Sequence, residues 1–214
     1  MSNSTTELAA AGRDKINWVR SYMPLLTQIE RQFAEELPFA GMKIAISIHL
    51  EAKTAYLAQV LRAGGAEVFA TGCNPLSTQD DIIAALRADG FTVAARHGAD
   101  MAEYAQHLKQ TLAVKPQLII DDGGDFAHLL HNECSAYAVN LIGGCEETTT
   151  GIQRLRAREK ANALAFPMIS VNDADCKHLF DNRYGTGQST LTAIMAVTNL
   201  TIASRVAVIA GYGW

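Results

Sequence analysis

Two hydrophobic rhythms alternate along this chain. From Ile16 onward the apolar residues Tyr22, Leu26, Ile29 and Phe33 recur at three- and four-residue steps, the spacing of an amphipathic helix. After Gly41 the rhythm changes. KIAISIHL is a short, nearly continuous apolar run of the kind a buried strand carries, and EAKTAYLAQVLRAGG returns to helical spacing and stops at glycine. The alternation then repeats: AEVFATG, FTVAAR, QLIIDDGG, YAVNLIGG and FPMISVND read as strands, with TQDDIIAALRADG, DMAEYAQHLKQTLAV and TTTGIQRLRAREKA as helices between them. Residues 1–14, MSNSTTELAAAGRD, read as a flexible N-terminus.

Strands joined through helices pair in parallel, so the expected fold class is α/β. It is a doubly wound, mostly parallel sheet with helices on both faces, in the Rossmann or flavodoxin manner. In such sheets ligands sit beyond the carboxyl ends of the strands. The polar residues concentrate there: IHLEAKT follows the first strand, TGCNPLSTQDD the second, IIDDGGDF the fourth, GGCEETTTG the fifth and VNDADCKHLFDN the sixth.

Each cluster has a plain structural reading beside a chemical one. His49 is either a satisfied histidine at a strand end or an acid-base group. Asp121 and Asp122 form either a turn with a helix cap or a carboxylate pair in which one pKa is raised by its neighbour, as a general acid or base requires. EETTTG is a capped helix start or a cradle for ribose and phosphate. Lys177 and Asp181 sit four residues apart, as an ordinary surface ion pair does.

Composition narrows the partners. With 214 residues, 49% of them apolar, the chain can bury a sizeable core. A net charge of −4 without a long basic run argues against nucleic acid and anionic membrane. No stretch is continuously apolar over the roughly 20 residues of a spanning helix. Cys73, Cys134, Cys145 and Cys176 have no C-x-x-C pairing, which fits a reduced, cytoplasmic setting. The spacing of cysteines and histidines gives no metal site.

The chain ends VAVIAGYGW, where an apolar run opens into G-x-G as in a dinucleotide-binding strand and its phosphate loop. With STQDD, DDGGD, EETTTG, VNDADCKHLFDN and GYG in this order, the sequence resembles the adenosylhomocysteinase family from about Ile16 to the last residue. That resemblance implies a substrate-binding domain over 15–184. Over 185–214 it implies a crossover helix and the first strand of a truncated NAD-binding Rossmann domain.

The family cleaves S-adenosyl-L-homocysteine to adenosine and L-homocysteine. Bound NAD oxidises the ribose 3′-hydroxyl, the acidified C4′ proton leaves, and the thiol is eliminated before water adds. By resemblance Lys177 serves the 3′-hydroxyl with Asp181 beside it, and His49 and Asp122 serve C5′. Ser77, Glu51, Lys53, Thr54 and Glu147 lie on the substrate side. Thr148, Thr149, Thr150, Asn182, Gly211 and Gly213 lie on the cofactor side. The family also implies a homotetramer at full length.

Two positions depart from the family's common pattern. Lys53 places a donor where an acceptor for the adenine 6-amino group is expected, which suits a 6-oxo purine and makes S-inosyl-L-homocysteine an alternative substrate. Thr186 stands where many members carry cysteine. A chain lacking most of the NAD site is also compatible with a non-catalytic nucleoside-binding fragment.

Overall fold

The computed structural model describes residues 3–211. It divides into two compact units, Met1–Ile169 and Ser170–Trp214. The first is built on strands β1 (Lys43–Ile48), β2 (Glu67–Gly72), β3 (Thr92–Val93), β4 (Leu118–Asp121), β5 (Gly143–Glu146) and β6 (Met168–Ser170), in the order β3-β2-β1-β4-β5-β6. That is the dinucleotide-fold order, reversing direction between β1 and β4. β1 runs parallel to β2 and β4, as β2 does to β3 and β4 to β5. The fold is α/β, as the alternating rhythms require.

Period-two alternation sorts the strand residues between two cores. On β1, Ile44, Ile46 and Ile48 join one cluster and Ala45 the other. The first cluster is closed by helices α1 (Asn3–Ser21), α2 (Pro24–Glu36), α3 (Ala52–Ala63) and α4 (Asp80–Ala88). The second is closed by α5 (Met101–Leu112) and α6 (Asp125–His131). A seventh helix, α7 (Thr149–Lys160), packs Ile152 and Leu155 with Ala127 of α6.

Three local expectations need correction. Residues 3–14 are helical and docked: Ala9, Gly12, Ile16 and Val19 form one buried stripe, and a side chain at Gly12 would meet the Asp81 carbonyl of α4. Half of that stripe is alanine and glycine, so a count of large apolar residues misses it. The helix expected through Phe33 is two helices, because Pro24 has no N–H to continue the first and instead opens the second. The fifth strand lies at Gly143–Glu146, while Ser135–Asn140 forms a 3-10 helix. A side chain at Gly144 would meet Ile119 of β4, so the glycines permit the strand to approach.

The second unit contains a short turn of helix, α8 (Asp175–Lys177), then a π-helix over His178–Gly185 and α9 (Thr186–Thr198). Val206–Ala210, expected as a strand, is not strand: a strand is made by a hydrogen-bonded neighbour, and none pairs with it among the described residues. Val206 and Val208 are 93% and 91% exposed. Among the described residues no helix is long and apolar enough to cross a membrane.

Candidate active site

In the first unit the ends of β1, β2 and β4 bring His49, Cys73 and Asp122 together. Their ligand atoms all lie within 4.8 Å of one another. His49 Nδ1 is 2.5 Å from Ser77 Oγ, and the Ser77 hydroxyl donates onward to the Asn74 carbonyl at 3.1 Å. The other ring nitrogen of His49, Nε2, points toward Asp122 Oδ2, 3.6 Å away. Thr54 holds the backbone from below, its hydroxyl donating to the His49 carbonyl at 2.6 Å.

The Cys73 thiol donates to the same Asp122 oxygen at 3.2 Å. Burial first, and then the neighbouring Asp122 carboxylate, push that thiol far up. Tyr104 Oη braces the turn, 3.0 Å from the Cys73 carbonyl and 2.9 Å from the Asp125 carboxylate. His49, Glu51 and Ser77 line an open groove of about 800 Å³. Glu51 caps α3, accepting from the Lys53 N–H at 3.0 Å. The Lys53 side chain is 65% exposed, and its ammonium sits 3.3 Å from that same Glu51 carboxylate.

Beneath this rim the two adjacent aspartates part company. The strand pleat turns Asp121 inward, where it is fully buried and accepts from the N–H groups of Asp122 and Ala127 at 3.1 and 2.9 Å. Burial raises it to about 8, and the charge of Glu146 adds to the rise. Its electrostatic partner is therefore Glu146, opposite it on β5; of the two sequence readings, the carboxylate pair with Asp122 is the one corrected. Glu146 is also fully buried and raised, chiefly by desolvation; its Oε1 accepts from Gly123 and Thr148 N–H, each at 2.9 Å.

Glu147 comes next on the chain, half-buried, its N–H bonded to the Asp121 carbonyl at 3.0 Å. Thr148 takes the N-cap position of α7 without a side-chain capping bond, and Thr149 and Thr150 form its exposed first turn.

The second unit holds its own polar network. The Lys177 ammonium donates to Asn172 Oδ1 at 2.9 Å and Asn182 Oδ1 at 2.8 Å, with Asp181 Oδ2 at 3.3 Å. Asn182 also donates to Asn172 Oδ1 at 3.0 Å. Lys177 is 17% exposed against 65% for Asp181, so an ordinary surface pair does not describe it. The backbone changes to π-helix directly after Lys177, an irregularity frequent at functional sites. Gly211 has φ 114°, a conformation suited to glycine, while Gly213 lies outside the described residues.

A family model described as S-adenosyl-L-homocysteine hydrolase matches residues 4–142 and 132–209. The chain belongs to this family. It is 54% identical over 203 residues to a Methanocaldococcus jannaschii protein named S-inosyl-L-homocysteine hydrolase, covering 95% of this chain and 49% of that one. It is 52% identical to an adenosylhomocysteinase of Thermoplasma acidophilum, over 94% of this chain and 49% of the relative, and 53% identical to one of Thermotoga maritima, over 95% and 50%. The chain thus spans about half the length of the curated relatives it matches.

His49, Ser77, Asp122, Lys177, Asp181 and Asn182 are among the residues that the family resemblance assigns to the site. The resemblance does not single out Cys73, Asn172 or Glu146 as partners. A lone cysteine and an asparagine in a loop carry no signal until the fold sets them beside a carboxylate and an ammonium.

Proposed function

We propose that this chain is the substrate-binding part of an NAD-dependent hydrolase that converts S-adenosyl-L-homocysteine to adenosine and L-homocysteine. It comprises a substrate domain over 15–184 and the start of a cofactor domain over 185–214. The observation that carries this reading is the fixed ammonium of Lys177. Two asparagine carbonyl groups and Asp181 surround it, which positions a proton-carrying group for the ribose 3′-hydroxyl more firmly than a free lysine would be.

His49 and Asp122 divide the proton work at C5′, with Ser77 setting the imidazole and Cys73 hydrogen-bonding the carboxylate. Glu147 offers a carboxylate to the ribose hydroxyls. NAD, when bound, supplies the acceptor for the hydride of the ribose carbon. By resemblance Thr148, Thr149, Thr150, Asn182 and Gly211 are the residues that would hold it, and Gly211 is in a glycine conformation after an apolar run. At full length the same reading gives a cytoplasmic homotetramer.

A second substrate, S-inosyl-L-homocysteine, is favoured by the name of the 54% identical Methanocaldococcus jannaschii relative. The test is calorimetric titration of the adenosyl and inosyl compounds into the chain. One-to-one binding of either, weakened at least tenfold by Glu147→Gln, supports the reading; absence of binding by both counts against it.

A further inference from the structure

The trio His49, Cys73 and Asp122 presents a nitrogen, a sulfur and an oxygen to one point, from the ends of three different strands. We infer that these three side chains form a binding site for a single zinc-class divalent cation, an inference that goes beyond the hydrolase reading and does not rest on it.

The geometry fits in the two pairs that share Asp122, and all three ligand atoms lie within 4.8 Å of one another. A tetrahedral zinc ion with bonds of about 2.0–2.3 Å sets its ligand atoms roughly 3.3–3.7 Å apart. Cys73 Sγ and Asp122 Oδ2 are 3.2 Å apart, and His49 Nε2 and the same oxygen 3.6 Å. His49 arrives already oriented. Its Nδ1 is held by the Ser77 hydroxyl at 2.5 Å, and its Nε2 faces the Asp122 carboxylate oxygen at 3.6 Å. An outer hydrogen bond that fixes the free ring nitrogen is the usual support of a metal-binding histidine.

The ligand chemistry selects the cation. One thiol and one imidazole favour zinc or cobalt over magnesium or calcium, which take oxygen donors. Binding replaces the Cys73 S–H bond with an S–metal bond and releases that proton to water. The His49 side chain is 50% exposed, so a fourth position stays open to solvent. Because the ion would take His49 Nε2 and the Asp122 carboxylate, metal binding and proton transfer by these groups exclude each other.

Cobalt(II) is the probe, since a thiolate ligand gives it a sulfur-to-metal charge-transfer band in the near ultraviolet. Titrated into the intact chain, it should give that band at one ion per chain, and zinc should abolish it by displacement. Cys73→Ser should remove the band, and His49→Ala should weaken binding at least tenfold, while Cys176→Ser, at an exposed cysteine, should leave both unchanged. Circular dichroism establishes that each variant is folded. No charge-transfer band, or a band that survives Cys73→Ser in a folded variant, would overturn the proposal. None of these readouts uses hydrolase activity, so they fail or succeed independently of it.

Discussion

Asp121 on β4 and Glu146 on β5 stand directly opposite each other in the sheet, both fully buried beneath the loops that carry Asp122 and Glu147. Each holds those loops through backbone N–H groups: Asp121 takes Asp122 and Ala127, and Glu146 takes Gly123 and Thr148. Two carboxyl groups so placed resist a double negative charge, because desolvation and mutual repulsion both oppose ionisation.

A pH dependence of stability follows. Asp121 titrates at about 8 in the folded chain against an ordinary 3.8, so between these values the folded state keeps a proton that the unfolded state releases. Its contribution is complete below about 4 and is lost as the pH rises through about 8. Asp121→Asn, which cannot ionise, should flatten that fall. Urea midpoints measured at intervals over this range, for parent and variant, check it; identical pH slopes would show that Asp121 is ionised throughout.

Gly151 on α7 leaves the room that Glu146 occupies. A side chain there would meet the buried Glu146 carboxyl group. Gly151→Ala should therefore destabilise the chain by roughly 1–3 kcal/mol, the usual cost of overpacking, despite alanine's better helix propensity. Denaturant unfolding measures it, and a stabilised variant would mean that Glu146 is free to move.

How much of this was legible in the sequence depends on the kind of signal. The strand runs and the residues at their ends were visible because period-two and period-3.6 patterns persist over many residues. Ala9 and Gly12 were not, since small residues bury a helix face without looking apolar. The partnership of Asp121 with Glu146 was hidden for another reason. Adjacent residues on a strand face opposite ways, and only the register of β4 against β5 supplies the true neighbour.

Lys53 does not set the purine preference. Its ammonium pairs with Glu51 and its side chain is mostly exposed. Held so, it does not contact the base, and Lys53→Ala should leave the ratio of affinities for S-inosyl- and S-adenosyl-L-homocysteine unchanged within about twofold. Removing a donor that reads a 6-oxo group would instead shift the ratio by roughly 5- to 150-fold, from about 1–3 kcal/mol for an unpaired buried group. Parallel titrations of both compounds into parent and variant separate the cases.

Lys177 offers the most direct test of the hydrolase reading. This chain can replace the segment it matches in the Thermotoga maritima relative, and homocysteine release from S-adenosyl-L-homocysteine can be measured in the chimera with NAD. The chimera should turn over, and Lys177→Ala should cut the rate by about 10²–10⁴-fold, the range for a positioned acid-base group, while binding of the nucleoside persists. A folded chimera that binds the nucleoside but releases no homocysteine, or a Lys177→Ala variant that keeps the parent rate, would contradict the role assigned here to the Lys177 network.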